Sequence, residues 1–122
     1  MTVLVIEDHP DSLAAMAKLL SRIVTDVLTA ETCAAARAVA ASAPCPPDVV
    51  VGDIGLPDGD GVELLQELKS TYNCGLIALT GHGMDGDLER CKAAGVEFHL
   101  LKPVGVKELR EAVRSFLEDG QG

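Results

Sequence analysis

The chain has 122 residues, of which 48% are hydrophobic, and this suits one domain that buries one core. Aromatic residues make up only 2% and tryptophan is absent, which argues against a surface that stacks on bases or sugars. The net charge of −9 argues against direct binding to nucleic acid or to an anionic membrane, and it is compatible with a cation site or a basic partner surface.

Five strand–helix units alternate along the chain. Short apolar runs, of the kind that form strands buried in a parallel sheet, occur at residues 3–6, 26–30, 49–53, 76–80 and 96–101. Apolar residues at helical spacing predict helices near residues 10–23, 33–42, 62–68, 85–94 and 106–117. The helix over residues 85–94 contains Gly86 and has poor propensity, so we expect it to be the least firmly held.

This alternation predicts an α/β fold in which a parallel sheet carries helices on both faces and the crossovers are right-handed. For five strands the common order is 2-1-3-4-5, which is a doubly wound, flavodoxin-like sheet with its switch point between strands 1 and 3. The proline-rich segment 43–47 is too short for a domain linker, and no internal repeat is present. We therefore predict a single domain over residues 1–122.

Neither a membrane span nor an export signal is expected. No apolar run approaches the ~20 residues of a transmembrane helix, and the first residues become acidic too early for a signal peptide. The four cysteines are scattered, without a Cys-x-x-Cys pair or a histidine at ligand spacing, which argues against a zinc site. Reduced thiols in a cytoplasmic protein are the expected state.

Residues that carry chemistry follow four of the predicted strand ends. They are Glu7 and Asp8 after strand 1, Asp53 at the end of strand 3, Thr80 at the end of strand 4 and Lys102 after strand 5. All of these ends meet at one edge of the sheet, where open α/β sheets bind ligands. Structural alternatives remain: the acids can cap a helix or a turn, the threonine can be an ordinary strand-end hydroxyl, and the lysine can be solvated.

Three carboxylates at one sheet edge repel each other unless a cation joins them. Oxygen ligands select a hard cation, and Mg²⁺ accepts a few protein ligands together with water. A lysine, a hydroxyl and a divalent cation around one acid can stabilise a phosphoryl group that arrives on that acid. An aspartate that acts as the nucleophile forms an acyl phosphate.

Four motifs occur in order on this pattern: Glu7-Asp8, Asp53-Ile54-Gly55-Leu56-Pro57 followed by Asp60-Gly61, Thr80, and Lys102-Pro103. Each is weak alone. Together, in this order and spacing, they resemble the receiver domain of the two-component response-regulator family over essentially the whole chain. The Leu79–Gly83 and His99–Val104 stretches are similar to receivers attached to hybrid histidine kinases.

The resemblance implies that Asp53 accepts a phosphoryl group from a phosphohistidine on a histidine kinase or a histidine phosphotransfer domain. It implies Mg²⁺ as the cofactor, held by Glu7, Asp8, Asp53 and the backbone carbonyl of Gly55. A downstream effector protein or an attached domain is the implied reader of the phosphorylated state. The module catalyses only its own phosphorylation and dephosphorylation, so we do not expect an enzyme that acts on a separate substrate.

The resemblance also implies a switch. Thr80 hydrogen-bonds the phosphoryl oxygen, Lys102 pairs with it, and the bond from Lys102 to Pro103 is expected to be cis. The family often carries Tyr or Phe three residues before this lysine, whereas this chain has His99, a smaller ring that can titrate near neutrality. The expected output surface is the fourth helix, the fifth strand and the fifth helix.

Other functions remain open from the residues. A phosphohydrolase with an aspartate nucleophile usually has a second acid two residues later, where this chain has Gly55. A flavin-binding module of similar topology needs a phosphate-cradling loop after strand 1, where Glu7 and Asp8 would repel phosphate. A receiver-like domain that is never phosphorylated is a further alternative. A tuning role for His82, or a solvated His82, also stays open.

Overall fold

The computed structural model describes residues 1–81, 85–102 and 104–119, with the backbone alone for residues 85–88 and 118–119. The strands are β1 (Thr2–Ile6), β2 (Asp26–Ala30), β3 (Val49–Asp53), β4 (Gly75–Thr80) and β5 (Phe98–Leu101). The helices are α1 (Pro10–Leu20), α2 (Cys33–Ser42), α3 (Gly61–Tyr72), α4 (Asp85–Ala94) and α5 (Val106–Asp119).

The strands form one parallel sheet in the order β2-β1-β3-β4-β5. This is the predicted doubly wound order, so the fold prediction is confirmed. The central strands β1 and β3 are buried along their whole length, as expected for strands covered on both faces. The switch point therefore lies between the carboxyl ends of β1 and β3.

Two apolar layers cover the sheet. On one face, side chains of β1, β3 and β4 pack against α2, α3 and α4, where α3 contributes Leu64, Leu65 and Leu68. On the other face the alternate residues of these strands pack against α1 and α5. Ala36 and Ala40 of α2 are buried, so their small side chains bring this helix close to the sheet.

Helix starts follow the local sequence. Pro10 is the first residue of α1, where its missing N–H costs no hydrogen bond. The hydroxyl of Thr32 accepts the N–H of Ala35 at 3.0 Å, so Thr32 caps the start of α2. Asp60 caps α3 by accepting the N–H of Val62 at 2.9 Å.

Some element boundaries differ from those predicted. β5 begins at Phe98 rather than at residue 96, because the N–H of Val96 bonds back to the carbonyl of Cys91 and closes the end of α4. α1 ends at Leu20, and the chain continues in tighter turns to Val24. A two-stranded antiparallel hairpin, formed by residues 55–56 and 59–60, was not predicted.

Two predictions fall on positions that the structure leaves undescribed. The cis bond before Pro103 and the loop position of His82 both lie outside the described residues. Within the described parts of the chain, no helix is long and apolar enough to cross a membrane.

Candidate functional site

The carboxyl edge of the sheet brings together three of the predicted site residues. Glu7 directly follows β1, Asp53 is the last residue of β3, and Lys102 directly follows β5. The Nζ atom of Lys102 lies 2.6 Å from Oδ2 of Asp53 and 2.8 Å from Oε1 of Glu7. One ammonium group therefore joins two carboxylates from different strands.

Asp53 is held through both carboxylate oxygens. Its Oδ2 accepts the bond from Lys102, and its Oδ1 accepts the N–H of Gly55 at 2.9 Å. Asp53 retains only 7% of its surface exposed, so few orientations are open to its side chain. The chain fold thus presents this acid in one defined direction at the sheet edge.

Lys102 is partly buried in an acidic environment. Burial by itself lowers the pKa of its amino group, but the hydrogen bonds to Asp53 and Glu7 outweigh this effect and raise the pKa above its ordinary value. The backbone N–H of Lys102 also donates a hydrogen bond to the carbonyl of Thr80 at 2.7 Å, which links the end of β5 to the end of β4. The lysine is therefore cationic and fixed at both its backbone and its side chain.

Asp8 has an oxygen without a hydrogen bond. Its Oδ1 atom is buried and accepts no hydrogen bond within the described part of the chain. A hydrogen bond with the Glu7 carboxyl lowers the pKa of Asp8; burial raises it, and the charges of His9 and Lys102 lower it further. Among the described residues, Glu7, Asp8 and His9 each offer one ligand atom within 4.8 Å of the other two, so these three residues could hold a metal ion; Asp53 does not belong to this group.

Thr80 and His99 share one face of the sheet. Thr80 is buried at the end of β4, and His99 pairs with Ala78 on the adjacent β5. Phe98 and Leu100 pack with the apolar layer of α1 and α5, so His99 lies on the opposite face, the side of α4. Its Nε2 is buried and has no hydrogen-bond partner among the described residues.

A pocket of about 540 Å³ adjoins the acidic edge. Its walls include Glu7 and Lys102, together with His9 and Ser12 at the start of α1 and Gly81 after β4. Asp53 is not part of the pocket wall, but its partner Lys102 is. The pocket therefore leads from the surface toward the group that holds Asp53.

The loop after Asp53 is anchored at two points. The two carboxylate oxygens of Asp58 accept the N–H groups of Cys33 and Ala34 at 2.7 and 3.1 Å, so this loop residue closes the start of α2. Asp60, the cap of α3, also pairs with Arg90 of α4. The segment that follows the candidate acceptor is thus linked to both α2 and α4.

The Asp58 anchor predicts a pH-dependent stability. We expect Asp58→Ala to lower the Tm by roughly 4–8 °C at pH 7, because two N–H groups of α2 lose their acceptor. These N–H groups lower the pKa of Asp58 below 3.8, so its stabilisation is complete above about pH 4 and is lost as the pH falls through the lowered pKa.

Thermal unfolding followed by circular dichroism from pH 7 to pH 3 tests this anchor. The Tm difference between wild type and Asp58→Ala should be constant near neutrality and shrink at the acidic end. Asp58→Asn keeps one oxygen acceptor, so its Tm should lie between those of the wild type and Asp58→Ala. A Tm that is unchanged by the alanine, or a difference that is independent of pH, would contradict the anchor.

Comparison with known proteins identifies the family. Residues 3–114 match the family described as the response regulator receiver domain. The chain belongs to this family. The resemblance carried by the four motifs is therefore confirmed, and the module is a receiver domain of two-component signalling.

Curated relatives place the receiver domain in different protein settings. The chain is 38% identical over 116 residues to the transcriptional regulatory protein KdpE of Mycobacterium tuberculosis, matching 92% of this chain and 50% of that protein. It is 34% identical over 113 residues to the signal transduction histidine-protein kinase BarA of Escherichia coli, matching 89% of this chain and 12% of the kinase. The chain thus spans about half of one relative and a small part of the other.

Solved structures agree with this assignment. A response regulator receiver domain protein from Clostridium thermocellum superposes with a TM-score of 0.88 at 27% identity, covering 98% of this chain and 96% of that chain. The strand order and the two helical layers are therefore those of known receiver domains.

Contacts of four residues in and around the receiver site are not predicted by the sequence. Lys102 was expected to pair with a phosphoryl group, but its present contact with Glu7 had not been foreseen. Asp60 enters the sequence interpretation only through the Asp60-Gly61 motif, although an aspartate directly before a helix is a strong capping signal. The contact of Asp58 with the start of α2 has no signal in the sequence. The contact of His9 with the acids had no signal beyond its adjacency to them.

Proposed function

We propose that this receiver domain is a phospho-acceptor in a phosphorelay, and that Asp53 receives a phosphoryl group from a phosphohistidine donor. The observation that carries the proposal is the arrangement of Lys102, which lies 2.6 Å from Asp53 and 2.8 Å from Glu7 at the carboxyl edge of the sheet. A cation held this close to an acid can stabilise negative charge that develops on it.

The chemistry is a direct transfer. A carboxylate oxygen of Asp53 attacks the phosphorus, the P–N bond to the donor imidazole breaks with its electron pair, and that nitrogen takes up a proton. The product is an acyl phosphate that carries about −1.5 to −2 charges at neutral pH. Lys102 neutralises part of this charge, and the hydroxyl of Thr80 is the proposed hydrogen-bond donor to a phosphoryl oxygen.

The donor set fits Mg²⁺. Glu7, Asp8, Asp53 and the backbone carbonyl of Gly55 would supply oxygen ligands, and the buried Oδ1 of Asp8 lacks a hydrogen bond within the described residues. Bound there, the cation would neutralise charge on the transferring phosphoryl group. Lys102 contacts two of these acids, Glu7 and Asp53, so it would compete with the cation for them.

Switching follows from the added charge. Thr80 and Lys102 are drawn toward the phosphoryl group, and the backbone bond between them couples β4 to β5. We propose that His99, whose Nε2 is buried without a partner among the described residues, responds to this movement in place of an aromatic ring. The output surface is then α4, β5 and α5, and a partner that prefers the shifted surface reads the change.

The proposed partners follow from this role. A histidine kinase or a histidine phosphotransfer domain supplies the phosphoryl group, and an effector protein or attached domain reads the output surface. The domain, residues 1–122, catalyses only its own phosphorylation and dephosphorylation. In dephosphorylation, water attacks the phosphorus, phosphate leaves, and the Asp53 carboxylate is restored. We place this exchange in the cytoplasm, with no role in direct binding of nucleic acid or membrane.

Labelling with acetyl phosphate tests the acceptor. We expect the wild-type protein to gain one phosphoryl group in the presence of Mg²⁺, and Asp53→Asn to gain none, because an amide oxygen is a poor nucleophile. Intact-protein mass spectrometry measures the added mass, and a chelator should abolish it in the wild type.

A matched control keeps the test specific. Asp48→Asn changes an aspartate at the opposite edge of the sheet, next to the start of β3, and should leave labelling unchanged. Labelling of Asp53→Asn at the wild-type rate would reject Asp53 as the acceptor. If neither the wild type nor Asp53→Asn is labelled, the module would instead be an unphosphorylated interaction domain.

A further inference from the structure

His9 directly follows the acidic pair, and its ring reaches the carboxylates that would hold a cation. Nδ1 of His9 lies 3.2 Å from Oδ1 of Asp8 and 3.4 Å from Oε2 of Glu7. One donor atom from each of these three residues lies within 4.8 Å of the other two. The imidazole nitrogen is therefore part of the same cluster as the acids.

The hydrogen bond of the His9 ring goes to Glu7, where Nδ1 lies 3.4 Å from Oε2, and not to Asp8. Oδ1 of Asp8 is buried and accepts no hydrogen bond within the described residues, although Nδ1 of His9 is 3.2 Å away. Neighbouring ligands of an octahedral cation, each bonded at 2.0–2.1 Å, lie about 3 Å apart. The two atoms thus have the separation of adjacent ligands of one cation.

The side chain of His9 has no competing structural task in α1. His9 occupies the cap position, with φ −93° and ψ 113°, but its side chain makes no capping hydrogen bond to the helix. The ring instead turns back toward Glu7 and Asp8. It is mostly exposed, so it can rotate onto a cation without disturbing the core.

We propose that His9 supplies a nitrogen ligand to the divalent-cation site and shifts its preference from Mg²⁺ toward first-row transition-metal dications, with Mn²⁺ as the probe. This rests on the proposed function, because the cation site is the one formed by the acids around Asp53. Imidazole suits transition-metal ions, whereas carboxylate and carbonyl oxygens alone suit Mg²⁺. The nitrogen therefore determines selectivity, while the oxygen ligands retain Mg²⁺ binding.

Pulsed electron paramagnetic resonance of the Mn²⁺-loaded protein tests the ligand directly. We expect the wild type to show coupling to ¹⁴N and His9→Asn to lack it. Asparagine is a favoured helix cap and offers an amide oxygen, so this variant should keep α1 and its Mg²⁺ affinity. His99→Asn, which changes a ring on β5, should keep the nitrogen signal.

Calorimetric titration with MnCl₂ and MgCl₂ provides the second readout. Because loss of an outer-shell partner already weakens metal binding about tenfold, loss of the nitrogen ligand should raise the Kd for Mn²⁺ by at least that factor. The Kd for Mg²⁺ should change by less than about threefold, since its oxygen ligands remain.

Two results would overturn the inference while leaving the acceptor intact: an oxygen-only Mn²⁺ spectrum in the wild type, or an equal loss of affinity for both metals in His9→Asn. If the wild-type protein binds neither metal, the cation site itself is absent. That result would reject the metal dependence of the proposed function together with the role of His9.

Discussion

Replacing Lys102 with alanine is expected to have opposite effects on catalysis and on metal affinity. Phosphoryl acceptance by Asp53 should slow on the order of a hundredfold, because the variant lacks the cation proposed to stabilise the developing charge. The affinity for Mg²⁺ should rise by about tenfold, since the ammonium group that lies 2.6 Å from Asp53 and 2.8 Å from Glu7 no longer competes for the carboxylates.

Stability should change in the same variant. Loss of Lys102 leaves Glu7 and Asp53, both nearly buried, without their common cation, which should lower the free energy of unfolding by about 2 kcal/mol. This is less than for a fully buried pair, because Lys102 is partly exposed and water can replace it. Saturating Mg²⁺ should restore most of the loss. Calorimetric titration with Mg²⁺ measures the change in affinity. Urea unfolding with and without Mg²⁺ measures the change in the free energy of unfolding.

Lys69→Ala is the matched control for this prediction. Lys69 forms an ion pair with Glu97 at 3.1 Å and has similar exposure, but it lies away from the acidic edge. Its loss should leave both labelling and Mg²⁺ affinity unchanged. A fall in Mg²⁺ affinity for Lys102→Ala would show that the lysine orders the acids rather than competing for them.

Gly61→Ala should cause a large loss of stability, about 3 kcal/mol, or roughly 10–15 °C in Tm. Gly61 begins α3 and packs against the backbone of Asp53 and Ile54. A Cβ at this position would collide with Cα of Ile54 and would lie 2.5 Å from the carbonyl oxygen of Asp53. Backbone atoms cannot rotate aside, so the loop after β3 must move.

Gly55→Ala provides the comparison within the same loop. Its added Cβ would meet only Oδ1 of Asp53, at 3.8 Å, which is an ordinary contact. We therefore expect a change of less than about 1 kcal/mol in the free energy of unfolding. Thermal and urea unfolding of both variants measure the difference. Equal stability of Gly61→Ala and Gly55→Ala would mean that the loop can move away from the added Cβ at position 61 without a loss of stability.

Strand positions and their order were predictable because each buried strand is a short apolar run and each run alternates with a helical pattern. Parallel strands joined by helices leave few topologies, and the predicted order was observed. The hairpin at residues 55–60 was missed, since two-residue strands have no measurable periodicity. The early start assigned to β5 failed because apolar Val96 closes α4 instead.

The sequence alone was sufficient to place Glu7, Asp53, Thr80 and Lys102 at one edge of the sheet, because parallel strands all end on the same side. It did not show which of these groups touch. The bridge from Lys102 to both acids depends on side-chain directions and on contacts across 49 residues of chain. Such contacts follow from the three-dimensional positions of the strand ends, so they became visible only in the folded chain.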